Sequence, residues 1–537
     1  MHDSTISPPN GSASSAASSA SSRTVAGIAL LLAAYAVAAL FGWPQYGRDL
    51  LVGAQAAHKT VAPSHDAAVP PGEHGPAASH DTASPPPPLT VLPFALLLAA
   101  IAILPLTAQC SHWWEHNSSK LLVAGGLALV TLTYYAVMHR HPVDLHFPTH
   151  GIVPPAAAGL SWGMAGAVLA NAMLAEYVPF IMLLFALYCV TGGVRIEGDM
   201  QATPTVNATF LGLGALAASF IGTTGAAMLL IRPLLETNRE RRIVAHTVVF
   251  FIFLVCNCGG CLLPIGDPPL FLGYLEGVDF LWTLSLWRPW LFTNAVLLAI
   301  YWLWDTFYAY PHERASDIQR DISLAGPLKV SGLWPNVPLM AGIIAAVALL
   351  DPAKAVPGTQ WHPWMFLREA VLLGIAGLSL TVGSREIRQR NGFTYGAIIE
   401  VASLFLGIFI CMQPALALLD EHGASLGINS PQAFFWSTGM LSSVLDNAPT
   451  YLVFFKAAQS LPAEGATMAG VDVGRLVAVS LGAVFFGAMT YIGNGPNFMV
   501  KAIAEQSGVK MPSFFGYCGY SLGILLPVFV LVSLLFL

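Results

Sequence analysis

The sequence predicts an all-α polytopic membrane protein with two inverted repeats, each containing a re-entrant hairpin and a broken transmembrane helix. Three observations predict this class. Of 537 residues, 55% are hydrophobic and only 10% charged, against roughly 25% charged residues in soluble domains. Two apolar runs are interrupted by glycine, proline and polar residues. The two interruptions share one sequence pattern and lie in corresponding places of the two halves, which is typical of a transporter's binding site.

The first interruption is the stretch Asn257–Leu270, which holds two adjacent glycines, three prolines and Asp267. Proline removes a backbone donor and clashes with the preceding turn, so a continuous helix is not expected here. Irregular backbone at membrane depth is tolerated only where it is buried in protein or lines a wet cavity. An aspartate at a helix centre costs roughly 2.5–3.5 kcal/mol on insertion. We therefore expect Asp267 to belong to a substrate site.

The second interruption repeats the first, because Ile265–Leu272 aligns with Ile492–Met499 as Ile-Gly-Asp-Pro-Pro-Leu-Phe-Leu against Ile-Gly-Asn-Gly-Pro-Asn-Phe-Met. A bent apolar segment precedes each break. The predicted hairpin arms are Thr205–Ile221 and Thr224–Leu235 around a Gly-Thr-Thr-Gly bend, and Phe434–Val444 and Pro449–Ala458 around Asp446 and Asn447. A second arm of about 12 residues extends about 18 Å and cannot cross a core of about 30 Å, so both hairpins are expected to be re-entrant.

The rest of the chain is divided by composition. The predicted divisions are a disordered Ser- and Ala-rich N-terminus at 1–22, a first transmembrane helix or signal anchor at 23–43, a flexible Pro- and His-rich extracytoplasmic linker at 44–89, an N-terminal transporter repeat at 90–308, a cytoplasmic loop at 309–333 and a C-terminal inverted repeat at 334–537. A cleaved signal peptide is the alternative for the first apolar run. The other predicted spans are Leu89–Gln109, Leu121–His139, Asn171–Thr191, Trp290–Tyr308, Val337–Leu350, Leu367–Val382, Tyr395–Leu419 and Tyr520–Leu537.

The basic residues predict the orientation. Loops 239–242, 314–329 and 385–390 carry arginine clusters, which favour the cytoplasmic side. Alternation then opens the first hairpin to the cytoplasm and the second to the outside, which makes the halves inverted repeats. We expect a multi-pass protein of a bacterial inner (cytoplasmic) membrane whose main partner is the lipid bilayer, with a homodimer as a further possibility. The net charge of −6 does not suggest a nucleic-acid partner.

Two features raise the question of a metal. Cys256, Cys258 and Cys261 lie in the first break, and eight histidines fall near residues 44–89 and 139–165. A Cys-x-x-Cys pair can bind a soft metal, but a tightly packed turn also favours small residues, and the histidines show no recurring ligand spacing. No cofactor is expected beyond a bound sodium ion in transit.

Polar residues that carry oxygen atoms cluster at the two hairpin bends and at the two helix breaks. A cation carrier needs carboxylates, amides, hydroxyls and freed carbonyls that replace hydration water. The candidate substrate- or ion-binding residues are Thr223, Thr224, Asn257, Asp267, Asp446, Asn447, Thr450, Asn494 and Asn497.

Three acids are candidates for a proton pathway: Asp446, Asp267 and Glu400. Competition between a proton and sodium for one buried carboxylate would suffice for exchange. Each acid has a structural alternative, since Asp446 and Asp267 could cap helices and Glu400 could be ion-paired near a helix end.

The sequence resembles the ion-transporter superfamily of secondary carriers over about residues 90–537, and within it the NhaD-like sodium/proton antiporters and CitMHS-like citrate carriers. The resemblance lies in five motifs: Gly222-Thr-Thr-Gly-Ala-Ala with Arg232-Pro-Leu-Leu, Asn257-x-Gly-Gly, Pro264-Ile-Gly-Asp-Pro-Pro-Leu-Phe, Glu400-Val-Ala-Ser-Leu-Phe-x-Gly-Ile-Phe, and Asp446-Asn-Ala-Pro-Thr followed by Gly493-Asn-Gly-Pro-Asn-Phe. It implies a scaffold and a transport domain that move against each other. The related dicarboxylate branch has Ser-Asn-Thr at its hairpin tips, and their absence here argues against a di- or tricarboxylate substrate.

The first functional hypothesis is therefore a sodium/proton antiporter with alternating access. The alternative is a cation-coupled carrier of citrate or another carboxylate, which a buried Arg or Lys at a hairpin tip would favour; none is evident in the sequence. A remote alternative is an intramembrane aspartyl protease that uses Asp267 and Asp446, although such enzymes carry Gly-x-Gly-Asp where this chain has Pro-Ile-Gly-Asp. Catalysis is not expected.

Overall fold

The computed structural model describes residues 11–61, 86–107, 109–145, 151–157 and 159–537, and these are mostly helical. In chain order the helices are α1 Gly11–Leu40, α2 Trp43–Val61, α3 Leu92–Ile103, α4 Ser111–Trp114, α5 Asn117–Val137, α6 Trp162–Ala170, α7 Val178–Thr191, α8 Pro204–Ile221, α9 Thr223–Thr237, α10 Ala245–Leu254, α11 Pro268–Leu275, α12 Trp287–Trp304, α13 Ala315–Leu324, α14 Leu333–Leu349, α15 Leu367–Val382, α16 Arg385–Arg390, α17 Gly396–His422, α18 Pro431–Val444, α19 Asn447–Gln459, α20 Val473–Phe486, α21 Gly495–Gln506 and α22 Phe514–Phe536. Short antiparallel pairs join β1 Val143–Leu145 to β2 Gly151–Val153, β3 Arg195–Glu197 to β4 Lys329–Ser331, and β5 Thr467–Met468 to β6 Val471–Asp472.

The long apolar helices confirm the membrane class. Within the described residues, the segments that are long and apolar enough to cross a membrane are Ser21–Leu40, Asn117–Val137, Trp162–Thr191, Pro204–Ile221, Gly396–Leu426 and Phe514–Phe536. Shorter apolar helices accompany them, among them α10 and α20. At 1.5 Å per residue the ten residues of α10 extend only about 15 Å, half of the hydrocarbon core.

The N-terminal region is more helical than predicted. Helix α1 begins at Gly11, inside the segment 1–22 that was expected to be disordered, because its alanines are strong helix formers. Helix α2 occupies the first part of the predicted flexible linker, with Leu51 buried and the Pro44 carbonyl accepting a 3.1 Å hydrogen bond from the Met365 amide. The prediction for residues 62–85 lies outside the described residues.

The predicted interruptions occur where the sequence places them. Helices α8 and α9 meet at Gly222, whose φ of +80° is a conformation that side-chain-bearing residues rarely adopt. Helices α18 and α19 meet at Leu445 and Asp446. One break separates α10 from α11, and the other separates α20 from α21.

The two breaks share their backbone geometry. Asp267 precedes α11 with φ/ψ of −142°/141°, and Asn494 precedes α21 with −152°/138°. Each is followed by a proline within the first two helical positions, where the missing N–H costs nothing. Aligned residues therefore have the same local role, and superposition of the complete halves through a two-fold axis stays a prediction.

The core is centred on the short helices of the breaks. Residues 246–254 of α10 and most of α20 are buried on every side, as expected for helices that are apolar all round. Helices α8, α12 and α21 pack against α10, and α18 and α19 pack against α20. Outside them, α7 packs on α14 and α15, and α5 packs on α17.

The basic loops lie on one face of the molecule. Strand β3 pairs with β4 of the central loop, and Arg195 donates a 2.8 Å hydrogen bond to the Arg390 carbonyl. Arg241 forms ion pairs with Asp305 and Glu313. The three loops that the charge pattern assigns to one side therefore contact one another or the same neighbours.

Candidate functional site

Asp267 lies at the point where both hairpins and both breaks meet. Its Oδ1 accepts a 2.7 Å hydrogen bond from the Thr223 hydroxyl at the first hairpin tip. Its Oδ2 accepts a 2.7 Å hydrogen bond from the Asn447 amide at the second tip. A longer contact of 3.4 Å joins Oδ1 to the Asn494 amide in the second break. The Asp267 residue is only 1% exposed, so this centre is closed to solvent in the conformation described.

Asparagine side chains satisfy backbone groups that the breaks leave free. Asn494 donates to the Cys256 carbonyl at 3.0 Å. Asn257 donates to the Asn497 side-chain oxygen at 2.8 Å, and Asn497 donates to the Gly487 carbonyl at 2.7 Å. These amides link the first break to the second, which stabilises irregular backbone that has no water to bind.

Four helix N-termini surround Asp267. Helix α11 begins directly after it, and α9, α19 and α21 begin at or next to the residues that donate to it. Helix N-termini carry partial positive charge, so together they favour an anion at this position. The geometry therefore stabilises the Asp267 carboxylate, and a second negative group nearby, without any basic side chain.

The centre offers oxygen atoms to a cation. Besides the Asp267 carboxylate and the Thr223 hydroxyl, the Asn447 side-chain oxygen is buried and has no hydrogen-bond partner among the described residues. Carboxylate, amide and hydroxyl oxygens are the ligands that hard cations prefer. No Arg, Lys or His side chain of the described part donates a hydrogen bond to Asp267.

A cavity of 80 Å³ adjoins the centre and is mostly apolar. It is lined by Leu183 and Leu187 of α7, the Gly222–Gly225 tip, Asp267 and Val401 of α17 among others, with no basic residue in the lining. This volume holds several water molecules at about 10–15 Å³ of such volume each.

The remaining predicted site residues lie around the centre rather than in it. Thr224 lines the cavity. The Asp446 carboxylate accepts a 3.0 Å hydrogen bond from the Ala448 amide and so caps α19. The Thr450 hydroxyl donates to the Asp446 carbonyl at 2.9 Å. The helix-capping alternative for Asp446 is therefore the one that this geometry shows, and its role as a proton or cation ligand stays a prediction.

Glu400 has a structural partner. Its carboxylate forms an ion pair of 2.6 Å with Lys120, and its side chain is 44% exposed. It shares neither a hydrogen bond with Asp267 nor a place in the lining of the adjacent cavity. The ion-pair alternative is therefore the one that the geometry shows.

Sequence reasoning missed the hydroxyl groups that hold each hairpin to the neighbouring break. Ser219 donates to the Gly259 carbonyl at 2.5 Å, and Ser442 donates to the Ala483 carbonyl at 2.7 Å. Thr490 donates to the Ser443 carbonyl at 2.6 Å. The available signal was a small hydroxyl residue in each hairpin arm, one turn or less before the tip.

The cysteines and histidines show no ligand set in the described residues. Cys256, Cys258 and Cys261 are buried free thiols. The potential metal-binding group found among the described side chains contains Asp199, Glu240 and Asp321 and no cysteine. The histidine predictions at 62–85 and 146–150 lie outside the described residues.

A second, larger cavity lies on the face of the basic loops. Its volume is 340 Å³, and its lining includes Arg195, Arg232, Glu197, Asp199 and Glu236. Arg232 also donates to the Asn391 carbonyl. The mixed charges of this lining contrast with the apolar lining near Asp267, and Arg232 does not contact the Asp267 centre.

Comparison with known proteins supports the carrier interpretation. None of the curated proteins matches the chain in sequence. A family model described as "Putative citrate transport" matches residues 84–537. This match confirms the resemblance to the citrate carriers, gives no support to the NhaD-like branch, and weakens the argument from the missing Ser-Asn-Thr triplets. Since the model covers most of the sequence, the chain belongs to this citrate transport family of membrane proteins.

Proposed function

We propose that the protein is a secondary carrier that moves citrate or a related carboxylate together with a cation, and that the cation binds at the Asp267 centre. The observation that carries the proposal is the convergence of two hairpin tips and two helix breaks on one buried carboxylate. Such breaks at the interface of two repeats are where secondary carriers bind their substrate and coupling ion.

The helix N-termini supply the attraction for a carboxylate substrate. Helices α9, α11, α19 and α21 all direct their N-terminal ends toward this region. Discontinuous helices of carriers use these ends to bind anionic groups. This removes the requirement for a buried Arg or Lys, which was the sequence-based argument against an anion.

The cation would compensate the negative charge of the substrate and of Asp267. Bringing a polyanion next to the Asp267 carboxylate in a water-poor site requires a compensating positive charge. A proton or sodium ion on Asp267, with the free Asn447 oxygen as a further ligand, provides it. Substrate and cation would then favour each other's binding, which is the thermodynamic basis of coupled transport.

The closed state of the centre supports a mechanism of alternating access. Asp267, Thr223 and Asn447 are each 1% exposed, so neither side of the membrane reaches them in this conformation. We expect the hairpins and the broken helices to move against α5, α7, α15 and α17, opening the site to one side at a time.

The test uses purified protein in lipid vesicles. Uptake of labelled citrate is measured under an inward sodium gradient, an inward proton gradient, both, or neither. The proposal expects citrate accumulation that needs at least one cation gradient and collapses with an ionophore for that ion. Citrate movement that is indifferent to both gradients, or no citrate movement at all, would contradict it.

Sodium/proton antiport is the second candidate, because no basic side chain lines the cavity next to Asp267. It predicts sodium-driven proton movement in vesicles without any carboxylate present. The protease hypothesis has less support: the Asp446 carboxyl caps a helix and shares no hydrogen bond with Asp267, whereas such enzymes need two facing acids that activate one water.

A further inference from the structure

Glu176 is an acid within a membrane span, and the proposed function does not use it. It lies in a π-helical turn, Asn171–Tyr177, in the middle of the 30-residue apolar segment Trp162–Thr191. Such turns inside longer helices occur frequently at functional sites. Insertion of an acid within an apolar span costs free energy, and acids found in such spans usually have a functional role.

The Glu176 carboxylate is only half satisfied. Its Oε1 accepts a 3.3 Å hydrogen bond from the Gln413 amide of α17. Its Oε2 is buried and has no hydrogen-bond partner among the described residues. An unpaired buried oxygen of an ionised carboxylate is unfavourable, whereas a proton on that oxygen would remove the charge.

The neighbouring charges are arranged around this acid. From α19, Lys456 pairs with Glu276 at the end of α11 at 2.8 Å, and each of these side chains is 19% exposed. Glu276 repels and Lys456 attracts a negative charge on Glu176, and Asp420 of α17 interacts with both members of the pair. Glu176, Glu276 and Asp420 thus all interact with Lys456, and Asp144 of β1 also repels Asp420, so acids outnumber bases in this cluster of described residues.

Two helices connect this cluster to Asp267. Helix α11 follows Asp267 and is itself followed directly by Glu276, and α19 begins at Asn447 and reaches Lys456. Nine residues separate Asp267 from Glu276, and nine separate Asn447 from Lys456, which is about 13 Å at 1.5 Å per residue. The Asp267–Asn447 hydrogen bond lies at one end of this helix pair and the Glu276–Lys456 ion pair at the other. A movement of the hairpin tips therefore also displaces the charges beside Glu176.

We propose that Glu176 is a second proton-binding residue of the carrier, reached from the side of the membrane where α19 ends. This inference rests on the proposed function and adds a proton to it. An O–H bond forms at Oε2 with a proton from water on that side. The bond breaks, returning the proton to water, when movement of α11 and α19 changes the position of Lys456 and Glu276.

The experiment compares the parent, Glu176→Gln and the exposed control Glu115→Gln in the same vesicles. Two rates are measured: citrate uptake driven by a proton gradient, and exchange of labelled for unlabelled citrate at equal pH, which needs no net proton movement. We expect Glu176→Gln to lose gradient-driven uptake to the level of protein-free vesicles while its exchange rate stays near that of the parent. Glu115→Gln should retain both.

Gradient-driven uptake by Glu176→Gln with the parental pH profile would overturn the inference and leave the proposed function intact. If the parent moves no citrate, the proposed function fails. The inference is then tested on sodium-driven proton flux, which Glu176→Gln must abolish.

If Glu176→Gln fails to insert into the membrane, a measurement on the unmodified protein still tests the inference. A hydrophobic carbodiimide reacts with protonated carboxyls in apolar surroundings, and peptide mapping locates the adduct. We expect modification of Glu176 that falls as the pH rises; no modification at any pH would contradict the inference.

Discussion

Asn447 donates a 2.7 Å hydrogen bond to the Asp267 carboxylate across 180 positions of sequence. This contact joins the tip of the second hairpin to the break in the first half, and both residues are buried. A hydrogen bond to a charged group contributes roughly 1.5–3 kcal/mol. Under the proposed function, a cation that binds to Asp267 would compete with, or reorganise, this contact between the two halves and would thereby influence the conformation.

The close approach of the second break to its hairpin predicts a sharp difference between two glycines. A Cβ on Gly493 would lie 2.8 Å from the Gly487 carbonyl oxygen and 2.9 Å from that of Ser442, both backbone atoms, whereas a Cβ on Gly495 meets nothing within 4 Å. Gly493→Ala should lower stability by about 1–3 kcal/mol, and Gly495→Ala should be neutral or stabilising. Thermal unfolding in detergent measures both, and equal melting temperatures would contradict the packing described.

The capping role of Asp446 predicts a difference between two substitutions at one position. Asp446→Ala removes the acceptor for the Ala448 amide and should cost about 1 kcal/mol of stability. Asp446→Asn keeps an oxygen in place and should melt within experimental error of the parent. Loss of stability in Asp446→Asn would show that the charge itself is needed.

The face of the basic loops carries a cluster of three carboxylates, Asp199, Glu240 and Asp321. This cluster predicts that the stability of the protein depends on pH. Burial, followed by repulsion from Glu240 and Asp321, raises the pKa of Asp199, and burial also raises the pKa of Asp321. The folded state therefore binds these protons more tightly than the unfolded chain. Stability from this cluster is full below the unfolded carboxyl pKa of about 3.9 and is lost as the pH rises through the folded values.

Substitution of Asp321 checks this dependence. Asp321→Asn removes one charge and keeps an acceptor for the Ala202 amide, so its melting temperature should fall less between pH 4 and pH 7, roughly the range over which such carboxyls ionise. Asp317→Asn on the same helix is the control and should follow the parent. An unchanged slope in Asp321→Asn would refute the repulsion.

The inverted arrangement of the halves predicts opposite accessibility at the open ends of the hairpins. Arg239 follows the first hairpin with 75% of its side chain exposed, and Glu464 follows the second with 84% exposed. In a cysteine-free background, an impermeant thiol reagent should label Glu464→Cys in intact cells and Arg239→Cys only after lysis. Labelling of both from one side would contradict inverted repeats.

Local chemistry made the interruptions predictable. The Gly222 tip and the breaks before Pro268 and Pro496 follow from residues that cannot continue a helix, and these features appear in the structure within a few residues of the predicted bounds. At each of these positions the backbone conformation depends on the few neighbouring residues in the sequence. It can therefore be predicted without knowledge of contacts with distant residues.

The central acid was not predictable in the same way. Asp446 and Asp267 both lie at interruptions, and only the contact with Asn447, distant in sequence, distinguishes the proposed cation ligand Asp267 from the helix cap Asp446. Lys120 likewise lies far from Glu400 in sequence, so that ion pair has no local signal. Glu176 did have one, a lone acid in an apolar span, and the sequence analysis left it without a role.

The proposed function requires that Asp267, and not Asp446, binds the coupling cation. Its most direct test is citrate uptake under combined sodium and proton gradients by the parent, Asp267→Asn and Asp446→Asn, with insertion checked separately. We predict that Asp267→Asn loses at least roughly tenfold in uptake, since an interaction with a charged group worth about 1.5–3 kcal/mol is removed. Asp446→Asn should stay near the parental rate. Cation-dependent uptake by Asp267→Asn at the parental rate would contradict the assignment of the cation to Asp267.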